Sequence, residues 1–159
     1  MKVRSFTSIR PLAAYSQELT IAALWRYEAF LKEDGYSLAD SEAQLTKLTT
    51  APEGPEIALI ALVGGQLAGI CLLVLHELEP AHADLSPWLA SLYVDPEFRG
   101  QGVARRLIAA IEDQARRWGI ARLYLYTVDA EELYRKCGWS VVERFQTGHG
   151  ALILMKRDL

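Results

Sequence analysis

Two kinds of hydrophobic pattern alternate along the chain and predict its secondary structure. Short runs rich in β-branched and aromatic residues predict strands, whereas apolar residues that recur every three or four positions predict amphipathic helices. The strand-like runs cover residues 3–9, 56–63, 66–75, 88–94, 123–127, 139–145 and 151–156. The helical patterns cover residues 16–32, 40–48, 102–118 and 131–137. The predicted order is therefore a strand, two helices, a hairpin, and then β-α-β-α-β-β.

Glycine and proline positions mark the turns between these elements. Gly64 and Gly65 separate two apolar runs, which predicts a tight β-hairpin because such turns need positive φ angles. The segments 49–55 and 78–87 contain proline or glycine and predict loops. Gly119 follows the last turn of the third helix, as expected at a helix C-terminus.

The two long helical patterns also predict which side chains face the core. The apolar face of the first helix comprises Leu19, Ala22, Ala23, Tyr27, Phe30 and Leu31. The face of the third helix comprises Val103, Leu107, Ala110, Ile111, Gln114, Ala115 and Trp118. The charged residues of the third helix predict two i,i+4 ion pairs, Glu112 with Arg116 and Asp113 with Arg117.

Composition and charge narrow the classes of function. Of the 159 residues, 51% are hydrophobic and 23% are charged, which is typical of one soluble domain spanning 1–159. The net charge of −3 argues against a nucleic-acid partner, because neutralising phosphates requires a basic surface. No apolar run reaches the roughly 18 residues of a membrane span, and the first residues lack the apolar core of a signal peptide. We therefore expect a cytoplasmic protein without a membrane partner, whose oligomeric state stays open, a homodimer included.

Cysteine and histidine positions give no sign of a metal site. Cys71 and Cys137 are too few for a disulfide scaffold or for a zinc site without other ligands. The histidines, His76, His82 and His149, lack the spacing of metal ligands. We therefore expect no metal in the function of this protein.

The segment 92–104 carries the strongest chemical signal. A predicted strand ends there, and residues 99–104, here called the glycine turn, open the clearest helix of the chain. A helix N-terminus offers unsatisfied N–H groups and a partial positive charge, and glycines let the backbone approach an anion closely. With the fixed charge of Arg99, the turn suits a pyrophosphate. It has neither the Gly-Lys-Ser/Thr of a Walker loop nor the third glycine of the dinucleotide fingerprint.

The glycine turn resembles motif A of the GNAT N-acetyltransferase superfamily, in the form Arg-Gly-x-Gly-x-Gly/Ala. The preceding Leu-Tyr-Val-Asp-Pro, residues 92–96, resembles the family's fourth strand. The segment 133–139, Leu-Tyr-Arg-Lys-Cys-Gly-Trp, resembles its Leu-Tyr-x-Lys-x-Gly-Phe signature. The resemblance is strong over residues 88–145. Together with the element order, it implies an α/β (α+β) fold with a mixed, mostly antiparallel sheet of about six to seven strands. About four helices should flank the sheet, and strands four and five should splay apart at a bulge.

The resemblance implies an acyltransferase that uses acetyl-CoA and transfers its acetyl group directly to a primary amine. The pantetheine arm is expected along strand four and the pyrophosphate against the glycine turn. The residues expected to bind the cofactor are Leu92, Tyr93, Val94, Arg99, Gly100, Gln101, Gly102, Val103, Ala104, Thr127 and Tyr134. The chain departs from the pattern at Thr127, where many relatives carry asparagine.

The resemblance also directs attention to groups that could move protons. Tyr134 is the expected general acid, because a phenol is protonated at neutral pH and can give its proton to the departing thiolate. Glu77, directly after the third strand, is the candidate general base, acting through a water molecule. His82, Asp84 and Glu131 are alternatives to Glu77.

The amine acceptor is expected to enter between the first helix and the loop 78–88. Trp25, Tyr36 and Trp88 are candidates to line this entrance. No charge cluster identifies the acceptor, so small molecules, peptides and proteins all stay open. Two other classes of function also stay open, an acyltransferase for longer acyl-CoA and a non-catalytic CoA-binding module.

Overall fold

The protein folds around one sheet, seen in a computed structural model that describes residues 6–77, 80–148 and 150–159. In chain order the strands are β1 (Thr7–Pro11), β2 (Ile57–Val63), β3 (Gln66–Val74), β4 (Trp88–Val94), β5 (Arg122–Thr127), β6 (Ser140–Thr147) and β7 (Gly150–Asp158). The α-helices are α1 (Leu19–Arg26), α2 (Leu38–Thr50), α3 (Val103–Arg117) and α4 (Glu131–Lys136). Within the described residues, seven strands form the sheet in the order β1-β2-β3-β4-β5-β7-β6.

The sheet is mixed at one junction. Neighbouring strands pair antiparallel except β4 and β5, which run parallel. In the described part of the chain, their ladder holds one aligned pair, Trp88 with Tyr124. β4 and β5 therefore separate beyond this pair. The prediction of a mixed, mostly antiparallel sheet with splayed fourth and fifth strands is confirmed.

Helices cover both faces of the sheet and divide the core into two layers. Leu73 of β3 packs with α3 and α4, whereas its neighbour Leu72 packs with α1 and α2. On β2, Ala61 and Ile60 divide in the same way. This division follows from the strand geometry, in which successive side chains point to opposite faces. Among the described residues, no helix combines the length and the apolar character that crossing a membrane requires.

The predicted turn between β2 and β3 is correct, whereas several element ends differ from the prediction. Gly64 and Gly65 have φ angles of +57° and +82° and close the β2–β3 hairpin, as predicted. α2 begins before its predicted start, because Ser37 and Asp40 form a capping box that satisfies its first N–H groups. β1 begins at Thr7, and the predicted strand residues 3–5 lie outside the described residues, as do residues 78, 79 and 149.

The first predicted helix, 16–32, is α-helical over only part of its length. After α1, residues Tyr27–Leu31 form a π-helical turn and Lys32–Asp34 a 3-10 turn. A π turn uses one residue more than an α turn and so rotates the positions that follow it. Within this π turn, Phe30, predicted to face the core, is 41% exposed, whereas Leu31 is buried as predicted.

The predicted core face of α3 is correct at four of its seven positions, whereas Ala110 and Gln114 are only half-buried and Trp118 is exposed. Val103, Leu107, Ile111 and Ala115 are buried. Trp118 is 41% exposed, so its predicted place in the core is wrong. The helix ends at Arg117, and Trp118 is its C-cap residue.

Both predicted ion pairs of α3 are wrong. Glu112 is 6% exposed and receives a 2.9 Å hydrogen bond from Arg157 of β7. Arg116 instead pairs with Asp113, and Arg117 donates to Gln114. Glu112 lies on the side of α3 that faces the sheet, where a buried carboxylate needs a close cationic partner.

Candidate functional site

The gap between β4 and β5 begins beside a bulge in β4. The register places two residues of β4, Ser91 and Leu92, opposite the single residue Cys71 of β3. We call Ser91 and Leu92 the β4 bulge. Ser91 has a φ of +53°, and in the described chain no other non-glycine residue has a positive φ. A bulge leaves backbone groups outside the ladder, so the β4 bulge presents backbone groups where β4 and β5 separate.

The glycine turn forms an open, donor-lined end on α3. Gly100 and Gly102 have φ angles of +77° and +80°, and a Cβ at either position would meet nothing within 4 Å. Gly102 is the N-cap of α3, and among the described residues no side chain caps this end and no acid lies in its first turn. Gln101 is exposed, whereas Val103 is buried and offers only its backbone to the turn. Free N–H groups and open space make the turn fit a diphosphate.

The end of β4 leads into the glycine turn, and Arg99 folds back along it. Nε of Arg99 donates a 2.9 Å hydrogen bond to the carbonyl of Val94, and its guanidinium lies 5.6 Å from the ring centroid of Tyr93. Tyr93 in turn packs against Trp25, with ring centroids 5.3 Å apart. Leu92 and Val94 pack into the α3–α4 core, so their backbone groups, not their side chains, are available to a ligand in the gap.

Tyr134 lies in α4 on the α3–α4 side of the sheet. Its side chain is 5% exposed, and its ring meets that of Trp139 edge to face, with centroids 6.0 Å apart. Burial raises the pKa of Tyr134 above its ordinary value, and the neighbouring thiols of Cys71 and Cys137 add to the rise. The phenol therefore carries its proton at neutral pH.

Thr127 ends β5 just before α4. Its Oγ1 accepts a 3.0 Å hydrogen bond from the backbone N–H of Ala130. Thr127 thus stabilises the turn that places α4, and with it Tyr134. Its contact with a cofactor stays a prediction.

A cavity of about 280 Å³ lies on the α1–α2 side of the sheet. Its walls come from α1, α2, the loop after α2, and the ends of β3 and β4. The lining residues are Arg26, Gln44, Leu45, Lys47, Leu48, Pro52, Glu53, Glu56, Leu72, Val74, His76, Glu77 and Ala90. Ala90 directly precedes Ser91, so the cavity lies beside the β4 bulge.

Glu77 is a cavity-lining carboxylate with a strongly shifted pKa. Burial raises the pKa of Glu77 to about 7, the nearby charge of Arg26 opposes the rise, and Asp34 adds to it. A group that titrates near neutral pH is suited to accept a proton from an amine. The sequence prediction of Glu77 as a base candidate therefore has a physical basis in this cavity.

The alternative base candidates either bind other side chains, as His82 and Glu131 do, or lie exposed, as Asp84 does. Both ring nitrogens of His82 are hydrogen bonded, Nδ1 to the hydroxyl of Tyr126 at 2.6 Å and Nε2 to Glu143 at 2.9 Å. Glu131 binds Arg144 and Arg135, and the bond to Arg144 is the main reason that its pKa is lowered. A carboxylate with a lowered pKa is a poorer base. Asp84 is exposed.

None of the three aromatic residues predicted to line the acceptor site is among the residues that line this cavity. Trp25 packs on Tyr93 beside the bulge, and Tyr36 is an electrostatic neighbour of Arg26. Trp88 is 1% exposed, so its predicted place at an open entrance is wrong. Its ring stacks on Tyr126 with centroids 4.7 Å apart, at the point where β4 and β5 are still paired.

Arg26 lines the cavity and contacts Ser91 of the β4 bulge, although the sequence pattern singled out neither residue. Nε of Arg26 donates a 3.0 Å hydrogen bond to Oγ of Ser91, and Nη1 donates a 2.5 Å bond to Oε1 of Gln44. The only signal in the sequence was a basic residue close to the apolar face of the first helix. That signal cannot identify a partner 65 residues away.

Comparison with known proteins agrees with this geometry. A model of the acetyltransferase (GNAT) family matches residues 20–139. No curated protein matches the sequence.

Solved structures share the fold at low sequence identity. An aminoglycoside 6'-N-acetyltransferase complexed with coenzyme A is 17% identical with a TM-score of 0.72, covering 95% of this chain and 96% of that one. A ribosomal-protein-alanine N-acetyltransferase from Brucella melitensis is 20% identical with a TM-score of 0.74, covering 96% and 99%. A Salmonella typhimurium protein solved with its cofactor acetyl-CoA is 16% identical with a TM-score of 0.75, covering 96% and 94%. At these identities the likeness shows the fold.

Proposed function

We propose that this chain, which belongs to the acetyltransferase (GNAT) family, transfers an acetyl group from acetyl-CoA to a primary amine. The observation that carries the proposal is the uncapped, glycine-lined N-terminus of α3, which follows the bulged strand at the β4–β5 gap. An anion-binding turn, a free strand edge and a cavity with a titratable carboxylate lie around this gap.

The cofactor is assigned to the gap and the glycine turn. Backbone N–H groups of the glycine turn hold the diphosphate, and the guanidinium of Arg99 adds a positive charge. The edge of β4 beyond Trp88 receives the pantetheine arm as it would receive an added strand. When bound, acetyl-CoA supplies the activated thioester whose acetyl group the amine takes up.

Glu77 is the proposed general base. A protonated amine must lose one proton to become a nucleophile. A carboxylate that titrates at about pH 7 can accept that proton at neutral pH, directly or through a water molecule. The surrounding cavity orients the amine and limits its contact with bulk water. Orientation of the two reactants then contributes much of the remaining acceleration.

Tyr134 is the proposed general acid. Its Oη holds a proton at neutral pH, and it can donate that proton as negative charge develops on the departing sulfur. N–H groups of the β4 bulge donate hydrogen bonds to the thioester carbonyl oxygen, on which negative charge develops as the amine attacks.

Direct attack by the amine is favoured over a covalent acyl-enzyme. Burial raises the pKa of Cys71 and of Cys137, so neither thiol is an activated nucleophile. Initial-rate patterns should therefore be those of a ternary complex rather than of a ping-pong reaction.

The test combines binding and turnover. CoA release from acetyl-CoA is measured with a panel of amines that includes aminoglycosides, polyamines and peptides with a free α-amine, and acetyl-CoA binding is measured by calorimetry. Gly102→Asp places bulk and negative charge at the diphosphate and should abolish binding. Gly119→Asp is the matched control, since Gly119 has a φ of +75° and open space at the other end of α3.

Two outcomes would contradict the proposal. If Gly102→Asp binds acetyl-CoA as tightly as Gly119→Asp, the glycine turn is not the diphosphate site. If the wild-type protein binds acetyl-CoA but transfers its acetyl group to none of the amines, a non-catalytic CoA-binding module is the better account.

A further inference from the structure

Arg26 connects the acceptor cavity to the β4 bulge. It is the last residue of α1 before the π-helical turn, and its guanidinium bridges Ser91 of β4 and Gln44 of α2. Isolated π-helical turns are frequent at functional sites. The two hydrogen bonds hold the guanidinium between three elements, so its position is well defined.

Ser91 has a backbone conformation that requires support. With a φ of +53°, its Cβ lies close to the backbone in a way that L-residues other than glycine usually avoid. Such a conformation persists only where surrounding contacts stabilise it, and such residues cluster at active sites. The hydrogen bond from Arg26 to Oγ is a contact that supplies this support.

The conformation of Ser91 decides where the following N–H groups point. A return of Ser91 to negative φ would rotate the peptide between Ser91 and Leu92 and remove the bulge from its present geometry. We propose that Arg26 is a positioning residue that holds the β4 bulge in the conformation required for acetyl transfer. This inference rests on the proposed function, in which N–H groups of the bulge bind the oxygen that becomes charged.

Arg26 also acts on Glu77, which lines the same cavity. Its charge opposes the rise in the pKa of Glu77, and burial lowers its own pKa without neutralising it, since a guanidinium stays protonated in proteins. Other charged or titratable groups around the cavity are Asp34, Tyr36, Lys47, Glu53, Glu56 and His76. One side chain thus influences both the proton acceptor and the bulge, and the two effects must be measured separately.

The kinetic experiment compares Arg26→Met, Ser91→Ala, Ser91→Gly and the double variant Arg26→Met/Ser91→Gly. Rates are compared on the high-pH plateau of each variant, where Glu77 is ionised in all of them. Arg26→Met and Ser91→Ala should each lower kcat about 10- to 100-fold, the range for a catalytic group displaced by about 1 Å. Ser91→Gly should retain at least about threefold more activity than Ser91→Ala, because glycine adopts positive φ readily.

The double variant separates positioning from a general structural role. If Arg26 acts by holding Ser91, glycine removes the need for it, and the double variant should regain most of the activity that Arg26→Met loses. Acetyl-CoA binding should change less than about threefold in every variant, since the glycine turn is untouched. Arg116→Met, at an exposed arginine paired with Asp113, is the control and should behave as wild type.

A second readout does not depend on turnover. In NMR spectra, the Cα and Cβ shifts of Ser91 report its φ, and they should move toward ordinary strand values in Arg26→Met but not in Arg116→Met. If these shifts move but wild type transfers no acetyl group to any amine, the structural link holds and the proposed function fails.

Three results would overturn the inference. One is a plateau kcat of Arg26→Met within twofold of wild type, and another is a double variant as slow as Arg26→Met. The third is an unchanged Ser91 resonance in Arg26→Met. If Arg26→Met does not fold, the comparison of Ser91→Ala with Ser91→Gly tests the inference instead. Equal rates of these two variants would overturn it.

Discussion

Arg157 of β7 donates a 2.9 Å hydrogen bond from Nε to the carboxylate of Glu112 on the sheet-facing side of α3. The same guanidinium donates to the carbonyl of Gly138, two residues beyond the end of α4. Gly138 has a φ of +94°, and a Cβ there would lie 2.5 Å from Nη1 of Arg157. Arg157 therefore joins β7 to both helices of the α3–α4 layer, and this layer carries the glycine turn and Tyr134.

Removal of Arg157 should destabilise the fold. Arg157→Met leaves the carboxylate of Glu112 buried without its partner, which should cost roughly 2–4 kcal/mol in the free energy of unfolding. Urea denaturation measures this change. Arg122→Met, which removes an exposed pair with Asp158, is the control and should change stability little. Equal effects of the two substitutions would show that the buried pair contributes no more than a surface one.

The pKa of Glu77 predicts the pH dependence of the reaction. Activity should rise as pH increases through about 7, because the base must be ionised to accept a proton. Glu77→Gln should lower kcat/KM by roughly 10²- to 10⁴-fold and remove this limb of the profile. A wild-type profile that is flat between pH 5 and 8 would assign the base to another group.

The ionisation of Glu77 should also lower the free energy of unfolding over the pH range in which activity rises. The pKa of Glu77 is raised in the folded state, so its contribution to stability is present at low pH and is lost as pH rises from about 4.5 to about 7. Unfolding free energies of wild type and Glu77→Gln should therefore differ in their slope across this window. Parallel slopes would mean that Glu77 is not perturbed.

Tyr134→Phe keeps the ring and removes the proton donor. If Tyr134 is the general acid, kcat should fall by roughly 10²- to 10⁴-fold, while the Kd for acetyl-CoA stays within about twofold. Tyr15→Phe, at the edge of the α1–α2 core, is the control and should leave both constants unchanged. A kcat of Tyr134→Phe within about twofold of wild type would reduce Tyr134 to a packing residue against Trp139.

Arg99 and Gly102 should contribute to cofactor binding by different mechanisms. Arg99→Ala removes an exposed charge and should weaken acetyl-CoA binding by about 1–3 kcal/mol, less at high salt because exposed charges are screened. Gly102→Val should weaken binding by steric exclusion, with little dependence on salt. Calorimetric titrations at several salt concentrations measure both effects. The distinction is wrong if the two variants show the same salt dependence.

Local pattern alone determined most of the secondary structure and the location of the glycine turn. The β2–β3 hairpin follows from two adjacent glycines, and β4 has the predicted bounds because its apolar run is bordered by prolines. Residues 99–104 are recognisable because helix-end chemistry depends on neighbours in sequence. The family match over residues 20–139 agrees with the motifs that suggested it.

Tertiary structure decided the environment of individual side chains. Trp88 became a core residue and Trp118 a surface residue, although both lie in clear apolar patterns. Phe30, within the π-helical turn at the end of α1, is exposed although the pattern placed it in the core. In each case the position relative to a strand junction or helix end mattered more than hydrophobicity.

Long-range hydrogen bonds and the pKa of Glu77 show most clearly what only the tertiary structure decided. Arg26 reaches Ser91 across 65 positions, and Arg157 reaches Glu112 across 45. The sequence contained the residue Glu77 but not its pKa, because that value depends on burial and on the charges of Arg26 and Asp34. Residue type and local spacing are properties of the sequence, whereas desolvation and long-range hydrogen bonds exist only once the strands and helices have packed.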